Sequence, residues 1–196
     1  AGNTITLYCM DDGLHCGGAL EIRYGSNLTI ASGDDGIHSD DTLVIYSGAT
    51  INITQSYEGL EAVFITINGG DISLVASDDG LNAAGGSSAD TDFAFMGPPG
   101  GEGTSETLEE ASYYILITGG TLTVDAGGDG LDSNGAFFME DGTVIVSGPA
   151  DSMNGALDYT TTGQITGGTL IACGASGMAQ NFDSSSTQCS LLYNFD

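Results

Sequence analysis

Positive charge is almost missing from this chain. Its 196 residues hold one arginine, Arg23, and no lysine, against 27 acidic residues, so the net charge is −26. Such a surface repels phosphate backbones and anionic headgroups, which rules against nucleic acid and anionic membrane as direct partners. It favours cations. No apolar run is long enough to span a bilayer, so direct membrane insertion is not expected. Proline is scarce at 3 residues and tryptophan absent. No stretch carries a convincing helical period, and no CxxC pair or Cys/His zinc spacing occurs. Lyase-type β-elimination needs a base, typically Lys or Arg, near a cation-bound carboxylate. Arg23 is the sole candidate and stands alone near the start, so no catalytic activity is expected.

Glycine is abundant, at 32 residues. Without a triplet period it does not indicate collagen, and the many Val, Ile and Leu residues exclude simple disorder. The glycines mark a repeat. Asp-Asp-Gly stands at Asp11-Asp12-Gly13, Asp34-Asp35-Gly36 and Asp78-Asp79-Gly80, with weaker copies ending at Gly59, Gly130, Gly155 and Gly177. The spacings are 23, 23, 21, 50, 25 and 22 residues. A fixed period of this size marks a solenoid. Eight and six residues before the repeat glycine stand apolar pairs such as Ile5/Leu7, Leu28/Ile30, Ile51/Ile53, Ile72/Leu74 and Leu122/Val124, each pair flanking a polar residue. That is the period of a half-buried strand. A second short strand follows the glycine, as at Leu43-Val44-Ile45, and a Gly turn closes the unit. Two strands this short bury nothing alone; stacked coils bury a continuous core. The sequence therefore predicts an all-β, right-handed parallel β-helix with coils of about 22 residues, the handedness following from the crossover rule.

The spacing of 50 predicts one interrupted coil. Residues 1–196 read as a single domain with a surface-loop insertion at 85–112. Within it Phe93, Phe95 and Met96 either fold back as a covering flap or meet a ligand. The chain begins at Ala1 and not at Met, which points to a removed leader peptide or to trimming. Cys9, Cys16, Cys173 and Cys189 cluster near the two ends. Disulfides Cys9–Cys16 and Cys173–Cys189 are the expected pairings in a secreted chain, free thiols being the alternative.

Stacked coils repeat at about 4.8 Å. The acids of the repeat then form ladders: Asp12, Asp35, Glu58, Asp79 and Asp129 just before the glycine, Asp11, Asp34 and Asp78 beside them, and His15, His38, Glu61, Asn82 and Asp132 two residues after it. Two carboxylates about 5 Å apart repel by roughly 3 kcal/mol at an effective dielectric near 20. Several rungs would consume most of an ordinary stability of about 5–15 kcal/mol. With no basic side chains to neutralise them, a hard divalent cation is the expected partner, and Ca²⁺ suits carboxylates with turn carbonyls. The expected ligands are Asp11, Asp12, Asp34, Asp35, Glu58, Glu61, Asp78, Asp79, Asp129 and Asp132. The competing explanation is that Asp and Gly simply favour turns. His15 and His38 either ligate a transition metal or hydrogen-bond within the turn.

Ser32–Asp40, Gln55–Glu61, Ala76–Ala83, Gly127–Gly135 and Asn154–Tyr159 are similar to successive blocks of the bacterial carbohydrate-binding-domain-containing β-helix family, itself like pectate-lyase-type proteins; Gly177–Gln180 and Ser186–Gln188 fit it too. This resemblance implies a right-handed parallel β-helix, a secreted or cell-surface location, bound Ca²⁺, and binding of cellulose-like or acidic plant polysaccharides. The expectation is thus a non-catalytic extracellular calcium-binding protein that binds polysaccharide. A second expectation is a filament subunit. Thr4–Leu7 and Ser190–Phe195 read as apolar strands at opposite ends, which suits head-to-tail self-association into fibres.

Overall fold

The computed structural model describes residues 4–84, 107–108 and 111–195. Seventeen strands, numbered in chain order, form two parallel sheets. One sheet takes a strand from each coil: β1 (Thr4–Tyr8), β4 (Asn27–Ala31), β6 (Thr50–Gln55), β8 (Asp71–Ala76), β11 (Thr121–Ala126), β14 (Thr143–Ser147) and β17 (Thr169–Cys173), stacked in that order. The other sheet holds the remaining strands. Its first half-coils are β2 (Leu14–Cys16), the start of β5 (Ile37–Ile45), the start of β7 (Leu60–Ile67), β9 (Leu81–Ala83), β12 (Leu131–Ser133) and β15 (Leu157–Tyr159). Its second half-coils are β3 (Leu20–Ile22), the ends of β5 and β7, β10 (Tyr114–Ile117), β13 (Ala136–Met139) and β16 (Gly163–Ile165). The fold is an all-β parallel β-solenoid with coils about 23 residues apart.

Alternation sets the core. Along β8 and β11 the pattern is strictly exposed, buried, exposed, buried. Inward residues stack in files: Leu28, Ile51, Ile72, Leu122 and Val144 in one, and Ile37, Leu60, Leu81, Leu131 and Leu157 in another. Each such residue contributes about 1.5–3 kcal/mol through burial. Small inward residues, Ser39, Ala62, Ala83 and Ser133, occupy the file where the second sheet bends between its half-coils.

The repeat glycines are required by close approach. A Cβ on Gly36 would stand 2.6 Å from the carbonyl oxygen of Gly59; on Gly59, 2.3 Å from that of Gly80; on Gly80, 2.4 Å from that of Gly130; on Gly130, 2.4 Å from that of Ala156. The file thus ends on Ala156 and not on Gly155, a shift of one residue from the sequence expectation. β12 pairs Leu131 with Leu157 and Asp132 with Asp158. The cause is the turn after β14: Val146 to Ala156 spans ten residues, where Val124 to Gly130 spans six.

The chain after β17 leaves the solenoid path. No strand forms between 174 and 195, so neither a further coil at Gly177 nor a terminal strand at Ser190–Phe195 is present. The segment instead covers the last coil of the second sheet. Asp183 N–H donates to Gly163 O at 2.8 Å and its Oδ2 accepts Gly163 N–H at 3.0 Å, while Ser186 Oγ accepts Ile165 N–H at 3.1 Å. Phe182 packs on the core beside Phe137.

The four cysteines are free, which overturns both expected disulfides. Cys9 follows β1 in one sheet and Cys16 closes β2 in the other, with the acidic turn between them. Their thiols point instead to backbone carbonyls, Gly13 O and Ala19 O. Cys173 is held in register beside Ser147 by β14, and Cys189 lies in the covering segment.

Most of the expected insertion, Phe93, Phe95 and Met96 included, falls outside the described residues. Its returning limb is visible where Leu108 and Ala111 pack against Leu116, Ala136 and Phe138 on the outer side of the second sheet. Leu116 and Phe138 stand at positions that are polar in the neighbouring coils, Thr66 and Gln164.

Candidate metal centres

Two files of polar side chains run side by side along the turn from the first sheet into the second. One comes from the turn itself: Asp12, Asp35, Glu58, Asp79, Asp129 and then Gly155. The other comes from the middle of each first half-coil: His15, His38, Glu61, Asn82, Asp132 and Asp158, held in register by parallel pairing. Backbone geometry aims the turn carboxylates. Asp12 Oδ1 accepts the Asp35 N–H at 3.2 Å, Asp79 Oδ1 accepts the Asp129 N–H at 2.6 Å, and Asp129 Oδ1 accepts the Gly155 N–H. Each acid thus spends one oxygen on the next coil and keeps the other for the neighbouring file.

The files bring most expected ligands together in groups whose donor atoms lie within 4.8 Å of one another. These are Asp79, Asp129 and Asp132; Asp35, His38 and Glu61; Asp12, His15 and His38; and Asp11, Asp12 and Asp34, of which Asp11 and Asp34 are exposed. These acidic and histidine clusters could hold a metal ion. Two expected ligands are otherwise engaged. Glu58 accepts the Asn82 side-chain N–H₂ on both oxygens, at 3.0 and 2.9 Å. Asp78 accepts the Tyr57 hydroxyl, and that bond with the carboxylate charge pushes the phenol up to about 12.

Electrostatics divide the column. Burial, reinforced by neighbouring carboxylates, pushes Asp79 up to about 7, Asp129 to about 6 and Asp132 to about 8. Burial raises Asp158 as well, against the hydrogen bond from Gln180 Nε2 at 2.9 Å. Glu58 and Glu61 are likewise pushed up to about 8 by burial first. Around His38 the direction reverses. Its hydrogen bond to Asp35 outweighs burial and lifts the imidazole to about 9. Asp35 is buried, yet His38 and Glu61 hold it below the ordinary carboxylate range.

No family model matches the chain, and comparison with curated proteins and with solved structures returned no match. The site is therefore argued from its own donors. Asp40, Asp158 and Gln180 are the parts that sequence reasoning missed. Asp40 lies outside the repeated positions, beside both imidazole Nε2 atoms at 3.2 and 3.4 Å. Asp158 was readable once the long turn after β14 is counted.

Proposed function

We propose that the chain is a non-catalytic, extracellular, right-handed β-helix that binds Ca²⁺ on its acid column and, through it, polysaccharide at the cell surface. The observation that carries this reading is the oxygen-only group of Asp79, Asp129 and Asp132, half-buried and without a basic partner. Hard oxygen donors with surplus negative charge suit Ca²⁺, which accepts irregular sets of carboxylates and carbonyls. Asp11, Asp12 and Asp34 supply a second oxygen set, with Asp11 and Asp34 at the surface. A cation held there can share coordination with the carboxylates or hydroxyls of a sugar. The glycan class, cellulose-like or acidic plant polysaccharide, follows from the family resemblance, and the exposed Tyr57 beside the column offers a stacking face.

The test is binding and stability with and without Ca²⁺. Chelation is expected to lower the melting midpoint and to release the protein from immobilised polygalacturonate or cellulose, since ions that bind the native state stabilise it. Incubation with polygalacturonate and Ca²⁺ is expected to yield no unsaturated uronate. A melting curve unchanged by excess chelator at neutral pH contradicts the calcium assignment.

A filament subunit is the second reading. It is favoured by the edge strands β1 and β17, which pair on one side only among the described residues, and by the core-file residue Ile5, left 50 % exposed at the β1 end. At the β17 end the cover over β15 and β16 leaves the first sheet open, whereas at the β1 end β2 and β3 of the second sheet are edge strands as well. A monodisperse monomer by light scattering at high concentration with Ca²⁺ rules it out.

A further inference from the structure

The histidine end of the column differs chemically from the oxygen-only end. His15 and His38 stack with ring centroids 4.6 Å apart. Their Nε2 atoms share one carboxylate, Asp40 Oδ1, at 3.2 and 3.4 Å. On the opposite side, His38 Nδ1 faces three carboxylate oxygens: Glu61 Oε2 at 3.0 Å, Asp35 Oδ2 at 3.1 Å and Asp12 Oδ2 at 3.8 Å. One N–H cannot serve three acceptors. Donors at about 2.0–2.1 Å from a tetrahedral Zn²⁺ stand about 3.3–3.4 Å apart, and the Glu61 and Asp35 separations lie close below that edge length.

We propose that His38 Nδ1, Asp35 and Glu61, whose donor atoms all lie within 4.8 Å of one another, form a three-ligand site for a borderline divalent metal of the zinc class, separate from the calcium sites. Imidazole with carboxylates suits such metals, whereas Ca²⁺ takes oxygen donors. One further contact fits this use. A ligating histidine usually hands its other ring N–H to a carboxylate, which fixes tautomer and orientation; His38 Nε2 is buried without a hydrogen-bond partner, and Asp40 Oδ1, 3.4 Å away, is the carboxylate placed to take its N–H once Nδ1 is ligated.

The experiment uses the full chain stripped with chelator. Zn²⁺ alone is titrated by calorimetry and Co²⁺ alone by visible absorption, in the wild type and in His38→Gln, Asp40→Asn and Asp132→Asn. Expected are intense tetrahedral Co²⁺ bands, a Zn²⁺ affinity about 10–100-fold weaker in Asp40→Asn, as for other outer carboxylates, a larger loss in His38→Gln, and no change in Asp132→Asn. Asp40 is partly exposed, so its variant keeps the test open should His38→Gln fail to fold. Zn²⁺ affinity unchanged in both Asp40→Asn and His38→Gln, or lost only in Asp132→Asn, overturns the proposal. So does a wild type that binds neither metal, which would leave His38 as a counter-ion to its carboxylates only. A Ca²⁺ response that survives any of these results leaves the calcium reading intact.

Discussion

Imidazole sits among the carboxylates at one end of the acid column and is missing at the other. Both ends have the same backbone, the same register and the same pair of files. Both face the same Coulomb problem, about 3 kcal/mol for each close carboxylate pair. At the first end a ring nitrogen is drawn up to about 9 and holds Asp35 ionised. At the second end Asp79, Asp129 and Asp132 are pushed up to about 7, 6 and 8, with no basic group to turn to. One fold thus carries two ways of living with stacked negative charge, and a single residue type separates them.

The strongest way to break this comparison is pH in the presence of chelator. The carboxyls of the oxygen-only end have folded-state pKa values above the ordinary range. The native state therefore binds more protons than the unfolded chain between about pH 4 and 8. The stability they contribute is fully present below about pH 4 and is lost as pH rises through about 6 to 8. The His38 contribution has the same sign in a later window, present below about 6.5 and lost through about 9. Thermal scans in chelator are expected to show the midpoint falling by at least several degrees from pH 5 to pH 8, with Ca²⁺ at pH 8 restoring it. A midpoint that rises across that range would contradict the assignment.

Replacing His38 with Gln comes next in size. It removes the shared cation from Asp35, Glu61 and Asp12 together, and is expected to cost about 1–3 kcal/mol, as for loss of a charged hydrogen-bond partner. Denaturant unfolding at pH 6 would measure it. Asp132→Asn is expected to act in the opposite direction. In chelator at pH 8 it should stabilise by about 1 kcal/mol, near 2–4 °C for a chain of this size, and Ca²⁺ should then add less than in the wild type. If both variants shift stability the same way, the two ends do not differ as described. Asp158→Asn should have the smallest effect, a few tenths of a kcal/mol, because Gln180 already donates to that carboxylate; paired melting curves would check it.

The solenoid was legible because its cause is local: Ile72-Ser73-Leu74 and Leu122-Thr123-Val124 repeat one alternation before one glycine. The column was legible for the same reason, since register follows from the repeat. What escaped is what breaks the repeat. The lengthened turn from Gly148 to Asn154 moved the last rung from Gly155 to Ala156 and hid Asp158. The closing segment satisfies strand edges with side chains such as Asp183 and Ser186, which carry no periodic signature. Asp40 joins the histidines through a bend inside β5, where pairing with β7 skips between Ser39 and Thr42. Leu116 and Phe138 did offer a signal, apolar residues on an outward face, that pointed to the returning limb of the insertion.

With a carbonyl oxygen seated close to where the Cβ of each of the glycines at 36, 59, 80 and 130 would stand, and a parallel ladder joining each coil to the next, the spacing between coils is set by the backbone. The solenoid is a ruler with fixed divisions. An ion of another radius is matched only by the length of the arm mounted at each mark: a short aspartate at 79 and 129, a longer glutamate at 58 and 61, a ring at 15 and 38. Exchanging arms, one coil at a time, would suit the clusters to a different ion while the scale beneath them stays as it was.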